Sequence, residues 1–269
     1  MFAILEWYSG ATLVILILNS EVWVAKIILW MAAWLALNVQ AGEVGVAVAA
    51  NFTAPMQKIV QVFEQETGYK AVLSFGSTGN LYAQIKNGAP FQVLLAADEE
   101  TPLKLEKEGL AQAGSRFTYA TGKLVLWSKQ PGLVDDKGDI LRSGNFQRIA
   151  LANPKLAPYG AAAVEALAQL GLWPALQPKV VQGDNIAQTY QFVATENAQL
   201  GFVALSQVMV DGKLAQGSAW VVPATLHAPL AQSAVLLGKG SDNPAAVALL
   251  RFLRSDRAKA IIRSFGYDC

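Results

Sequence analysis

From residue 44 onward the chain alternates short apolar runs with stretches whose apolar positions recur every three to four residues. Residues 44–50 form a small, valine-rich run that predicts a strand, and 53–67 place Met56, Ile59, Val60 and Phe63 at the i, i+3, i+4, i+7 spacing of an amphipathic helix. Residues 69–75 return to strand, the turn Gly76-Ser77-Thr78-Gly79 leads into a short helix through Leu81, Ile85 and Lys86, residues 93–97 predict a third strand, and 101–108 predict a helix stopped by Gly109. A second unit repeats the plan, with strands at 123–127 and 149–152, a helix at 161–170 stopped by Gly171, a strand at 179–181, a helix at 186–196, and strands at 200–204 and 219–222. A last strand at 234–237 precedes helices at 244–253 and 255–265, the first of them opened by Pro244 after Asp242-Asn243. Strands alternating with helices predict an α/β fold. Its expected form is two lobes, each a mixed, mostly parallel sheet flanked by helices: residues 42–121 plus 225–269 as one lobe, with 122–224 inserted as the other.

Residues 1–41 break the rhythm. They hold 31 hydrophobic residues, four of the seven tryptophans and only three charges, Glu6, Glu21 and Lys26. The apolar run 27–37 has Lys26 before it and the small-x-small pattern Val39-Gln40-Ala41 after it. At 11 residues it is too short to cross a bilayer comfortably, and the whole reads as a secretory signal cut between Ala41 and Gly42. The competing reading is an uncleaved anchor built from this run and the earlier one at 11–18. Residues 1–23 do not suit the head of a signal, being acidic and apolar, and suggest a start assigned too far upstream, with Val22 or Val24 the initiator if its codon is GTG.

This leader inflates the overall composition of 53% hydrophobic residues and the mean hydropathy of +0.32; without it about 49% remain hydrophobic, beside 20 basic and 18 acidic groups. A formal net charge of +1 speaks against a nucleic-acid partner, which calls for a basic excess or stripe. The single cysteine, Cys269, excludes an internal disulfide framework and a cysteine-based zinc site. The single histidine, His227, excludes multi-histidine metal sites and argues against a Ser/His/Asp triad, and no Gly-x-Ser-x-Gly elbow occurs.

Four strand-to-helix turns carry small, hydroxyl-bearing or amide residues: Ala50-Asn51-Phe52-Thr53, Gly76-Ser77-Thr78-Gly79, Pro158-Tyr159-Gly160 and Gly183-Asp184-Asn185-Ile186. Helix N-termini present unpaired N–H groups and a partial positive charge, which suits an anion. Two turns fall in each expected lobe and none contains Lys or Arg, so a cleft formed by them would hold an oxyanion with neutral donors. Taken singly, Ser77, Asn51 and Asn185 read first as helix caps, and only the set of turns together points to an anion. Tyr159 is harder to explain as a turn residue, since no turn requires a phenol. The acidic run Asp98-Glu99-Glu100 reads as the start of a helix, Asp135-Asp136-Lys137-Gly138-Asp139 as a solvated loop, His227 as a structural or exposed residue near a hinge, and Trp127, Trp173 and Trp220 as packing residues.

Along the chain run Val46-Ala47-Val48-Ala49-Ala50-Asn51-Phe52, Ser74-Phe75-Gly76-Ser77-Thr78-Gly79-Asn80-Leu81, Gln84-Ile85, Gly88-Ala89-Pro90, Ala96-Ala97-Asp98, Leu151-Ala152-Asn153-Pro154 with Pro158-Tyr159-Gly160, Gly183-Asp184-Asn185-Ile186 and Leu200-Gly201-Phe202-Val203-Ala204-Leu205-Ser206. In this order and spacing the chain resembles the periplasmic molybdate-binding proteins of bacterial ABC importers. The resemblance implies a type II periplasmic binding-protein fold that closes on molybdate or tungstate, with no cofactor, no cation ligands and no catalysis. By position, Asn51 and Thr78 would donate from the first lobe, Ile186 through its backbone N–H and Tyr159 through its phenol from the second, with Ser77 and Phe52 secondary, through backbone groups. One branch of the family has serine at position 51 and tyrosine at 204; with Asn51 and Ala204 this chain follows the branch whose tyrosine sits in the Pro-x-Gly turn, and Ala204 is left out of the site. The implied partner is a molybdate permease in the inner membrane, and the implied protein is a periplasmic monomer. A receptor of the same fold for sulfate or another small ligand, and an exported α/β hydrolase, are the alternatives.

Overall fold

The computed structural model describes residues 42–269 apart from Asp211. The expected signal region and start site in residues 1–41 lie outside the described residues.

In chain order the elements are β1 (Glu43–Ala49), a 3-10 turn (Ala50–Phe52) running into α1 (Thr53–Thr67), β2 (Lys70–Gly76), α2 (Thr78–Lys86), β3 (Val93–Leu95), α3 (Glu100–Lys107), β4 (Phe117–Gly122), β5 (Leu124–Ser128), α4 (Ile140–Ser143), β6 (Ile149–Ala152), α5 (Pro158–Gln169) and α6 (Trp173–Leu176). They continue with β7 (Val180–Gly183), α7 (Ile186–Ala194), β8 (Leu200–Ala204), α8 (Leu205–Val208), the short ribbon β9 (Met209–Val210) and β10 (Lys213–Leu214), β11 (Ser218–Val221), β12 (Leu230–Leu236), α9 (Pro244–Leu253) and α10 (Asp256–Ser264).

Two five-stranded mixed sheets organise the chain, in the orders β2-β1-β3-β12-β4 and β11-β5-β8-β6-β7. In the first, β1 pairs parallel with β2 and β3, while β12 returns antiparallel between β3 and β4. In the second, β6 pairs parallel with β7 and β8, and β5 runs antiparallel to β8 and β11. The polypeptide passes from one sheet to the other twice, at Gly122-Lys123 and through residues 222–229.

Burial explains the layering. Strand β1, flanked on both edges, is apolar on both faces: Val44, Val46 and Val48 face Phe52, Met56, Ile59, Phe63 and Leu249 from α1 and α9, and Ala47 packs with Leu81, Leu94 and Leu105 beneath α2 and α3. The second sheet is covered by Ala163 and Leu167 of α5 on one face and by Val193 of α7 on the other, where Trp127 stacks on Tyr190 at 5.1 Å.

Several elements depart from their sequence reading. Helix α5 starts at Pro158 rather than at 161, because the fixed φ of proline suits the first helical position. Tyr159 and Gly160 thereby enter its first turn, and Gly160 packs so closely on the end of β6 that a Cβ there would lie 2.7 Å from the carbonyl carbon of Ala152. Strand β4 has no counterpart in the sequence reading, and β12 begins at Leu230, four residues before the expected 234.

Candidate anion-binding site

The turns that leave β1, β2, β3, β6 and β7 at their C-terminal ends meet around one small chamber. Its walls are Ala49, Ala50 and Asn51 after β1, Gly76, Ser77 and Thr78 after β2, Ala97 after β3, Ala157, Pro158 and Tyr159 after β6, and Ile186 after β7. No Lys, Arg, Asp or Glu is among the lining residues.

The N-terminal ends of α2, α5 and α7 and of the 3-10 turn entering α1 converge here. Each helix N-terminus carries roughly half a positive charge, so four of them supply about the two charges of a dianion without any cationic side chain.

Local hydrogen bonding leaves specific donors over. Ser77 occupies the N-cap position of α2 but makes no capping bond, and its Oγ is buried with no partner. Thr78 Oγ1 accepts the Ala97 N–H at 3.0 Å, which leaves its own proton to donate. Asn185 Oδ1 caps α7 by accepting the N–H groups of Ala187 and Gln188 at 2.9 and 3.0 Å, which leaves the Ile186 N–H as the uncapped donor of that turn. The Ile186 side chain packs into the apolar core.

Behind the chamber lies a buried polar network that joins both sheets. Asn51 Nδ2 donates to Gln232 Oε1 at 2.8 Å and to the Tyr267 hydroxyl at 3.0 Å. The single Tyr119 hydroxyl proton is shared between the Ala96 carbonyl at 3.1 Å and Gln232 Oε1 at 3.0 Å, and Gln232 Nε2 donates to the Tyr159 hydroxyl at 3.2 Å. Ser206 Oγ and the Tyr267 hydroxyl both lie 2.9 Å from the Asn51 carbonyl. Burial holds the phenols of Tyr119 and Tyr159 well above the ordinary range, reinforced by the nearby Tyr267; burial lifts Tyr267 itself to about 12 against the opposing hydrogen bonds of Ser206 and Asn51. All three remain neutral hydroxyls at physiological pH. Just outside the chamber, burial raises the Asp98 carboxyl, and its hydrogen bonds from Thr101 oppose the shift.

The structure thus brings together five of the six residues expected from sequence: Asn51, Thr78, Tyr159, Ile186 and Ser77. Phe52 does not line the chamber; its ring is buried edge-on against Tyr119 and Tyr267, with centroids 4.8 and 5.4 Å away. Both side-chain donors of Asn51 are spent inside the network, so what it offers an anion is its backbone N–H. Ser77, expected to act through its backbone, presents an unpartnered hydroxyl instead. Gln232, Tyr119, Tyr267 and Ser206 were missed as site residues; of these, only Ser206 falls within a stretch that resembles the family. Ala204 is fully buried and away from the chamber.

Residues 44–268 match the family model for bacterial extracellular solute-binding proteins. The chain belongs to that family. Among its curated relatives, a molybdate-binding protein of Azotobacter vinelandii is 60% identical over 236 residues, covering 88% of this chain and 94% of the relative. A molybdate-binding protein of Rhodobacter capsulatus is 51% identical over 233 residues, covering 87% and 91% respectively. Of solved structures, the periplasmic molybdate-binding protein of Azotobacter vinelandii superposes with a TM-score of 0.82 at 41% identity, over 84% of this chain and 99% of that one. The two mixed sheets are those of a two-lobed solute-binding protein, and no helix among the described residues is long and apolar enough to cross a membrane.

Proposed function

We propose that this solute-binding protein takes up molybdate, and tungstate with it, outside the inner membrane and delivers it to an ABC transporter permease. It is a binding component and not an enzyme, like the two molybdate-binding relatives described above. The observation that carries the reading is the uncharged chamber at four converging helix N-termini, with a buried, unpartnered Ser77 hydroxyl in its wall. The donors are the Ser77 and Thr78 hydroxyls, the Tyr159 phenol and the backbone N–H groups of Asn51 and Ile186.

The lobes of this reading are residues 42–121 with 225–269, and 122–224; they close about the two crossovers between the sheets, acting as a monomer. Closure is supported by Gly79, whose N–H donates to the Leu156 carbonyl across the cleft at 2.9 Å. Selection against sulfate follows from size. Both ions are tetrahedral dianions, so the number of hydrogen bonds does not separate them, whereas a cage left slack around the smaller ion lengthens several bonds together. Each bond to a charged group contributes about 1.5–3 kcal/mol, so loosening two or three costs several powers of ten in affinity.

Competitive calorimetry with molybdate, tungstate and sulfate tests the proposal. Molybdate and tungstate are expected to bind with similar affinity and sulfate far more weakly. Sulfate or phosphate binding as tightly as molybdate would overturn it.

A further inference from the structure

We infer that Gln232 is a positioning residue for anion binding: it fixes the Tyr159 phenol as a hydrogen-bond acceptor from the protein, so that the phenol proton is left for the anion. The inference rests on the molybdate reading above and assigns to that site a residue that does not line it.

Gln232 is fully buried on β12, where polar side chains are uncommon. The pairing of β12 with β4 shifts register at this point: Gln232 stands opposite Ala120 and Ser233 opposite Thr118, so Tyr119 is the extra residue of a bulge. Bulges re-aim side chains, and this one brings the Tyr119 hydroxyl to Gln232 Oε1. That oxygen also accepts from Asn51 Nδ2. Asn51 Nδ2 and the Tyr119 hydroxyl both point to the oxygen end of the amide, and the nitrogen faces Tyr159. A phenol that accepts from Nε2 keeps its own proton to donate. Tyr159 lines the chamber.

Gly122, at the first crossover between the sheets, makes room for this bond. A Cβ there would collide with the Tyr159 hydroxyl and come within 2.6 Å of Gln232 Nε2. The other two partners of Gln232 keep a second bond if it is removed: Asn51 Nδ2 to Tyr267, and Tyr119 to the Ala96 carbonyl. Tyr159 does not.

The test is a double-mutant cycle read by calorimetry with sodium molybdate, on wild type, Gln232→Met, Tyr159→Phe and the double variant. Gln232→Met is expected to weaken binding about tenfold in the wild-type background and less than about twofold once Tyr159 is phenylalanine, because the bond it orients is then gone. Gly122→Ala, which retains every network side chain but wedges a methyl group between Gln232 Nε2 and the Tyr159 hydroxyl, is expected to show the same dependence on Tyr159 and covers the case in which Gln232→Met does not fold. A purely structural role for Gln232 would instead weaken binding equally in both backgrounds, and that result, or unchanged affinity in Gln232→Met, overturns the assignment. Wild-type protein that fails to bind molybdate overturns the functional reading itself, and this inference with it.

Discussion

Replacing Ser77 by alanine should move binding and stability in opposite directions. The Ser77 hydroxyl is 3% exposed, has no partner, and does not cap α2, so its removal takes nothing from the empty protein's hydrogen bonding. A buried hydroxyl without a partner costs about 1–3 kcal/mol when the cleft is closed and nothing when the cleft is open and wet. The ligand-free variant should therefore unfold at the wild-type temperature or somewhat above it. In the complex the same hydroxyl supplies a bond to a charged ligand, about 1.5–3 kcal/mol, equivalent to a loss of roughly 10–150-fold in affinity. At a molybdate concentration 100 times the wild-type Kd, ligand stabilises the wild type by about 2.7 kcal/mol; a hundredfold weaker variant retains about 0.4 kcal/mol. For a domain of this size that difference is about 5–9 °C of missing thermal shift. Calorimetry and thermal unfolding with and without molybdate measure both quantities. An unfolding temperature that falls equally in both states, with affinity within twofold of wild type, would refute the reasoning and make Ser77 an ordinary packing residue.

At Ile186 the backbone and side chain can be separated. Ile186→Ala should cost about 2–5 kcal/mol of stability by emptying a core position, yet leave molybdate affinity nearly intact; Ile186→Pro, tolerated at the first position of α7, should in addition lose about tenfold or more in affinity because the N–H is gone. Comparing the two by titration isolates that donor. Gly79→Ala should weaken binding with little effect on the unfolding of the empty protein, since the new Cβ would lie 3.0 Å from Leu156 Cα across the closed cleft; destabilisation of the empty form by more than about 1 kcal/mol would show that the contact is permanent. The raised phenols of Tyr119, Tyr159 and Tyr267 set an alkaline limit. Their folded state favours the protonated form, so the stability they contribute is complete below the unfolded value near pH 10 and is lost as pH climbs toward about 12, the folded value of Tyr267. Urea midpoints should accordingly be flat in this respect from pH 7 to 9 and fall steeply above 10, and less steeply in Tyr267→Phe.

What could be read in the sequence was local. The helix starts at Thr53, Ile186 and Pro244 were visible from periodicity and capping residues, and four turns were recognisable as anion-binding candidates because small and hydroxyl residues sit just ahead of those helices. Strand β4 escaped because Phe117-Thr118-Tyr119-Ala120-Thr121-Gly122 contains neither an apolar run nor clean alternation; its bulge interrupts the period of two. The polar network escaped for a different reason. Asn51 reaches Gln232 across 181 residues and Tyr267 across 216, and no spacing rule connects positions that only the folded sheets bring together. Gln232 also sits at the overlooked start of β12, where a glutamine gives no sign that it is buried. Phe52 was expected to act only through its backbone; the 3-10 turn sends its ring into the core, and the residue does not line the chamber.

The neutrality of the chamber has an electrical corollary. Helix dipoles attract an anion while carrying no net charge of their own, so no ionised side chain stands beside its two charges. Residues 42–269 hold 20 basic and 18 acidic groups, so taking on a dianion carries the particle from weakly positive to about neutral. Empty and filled forms are thus two different electrolytes. Native electrophoresis should resolve them by charge alone, and a transporter surface with a fixed potential has a cue to occupancy that is independent of shape.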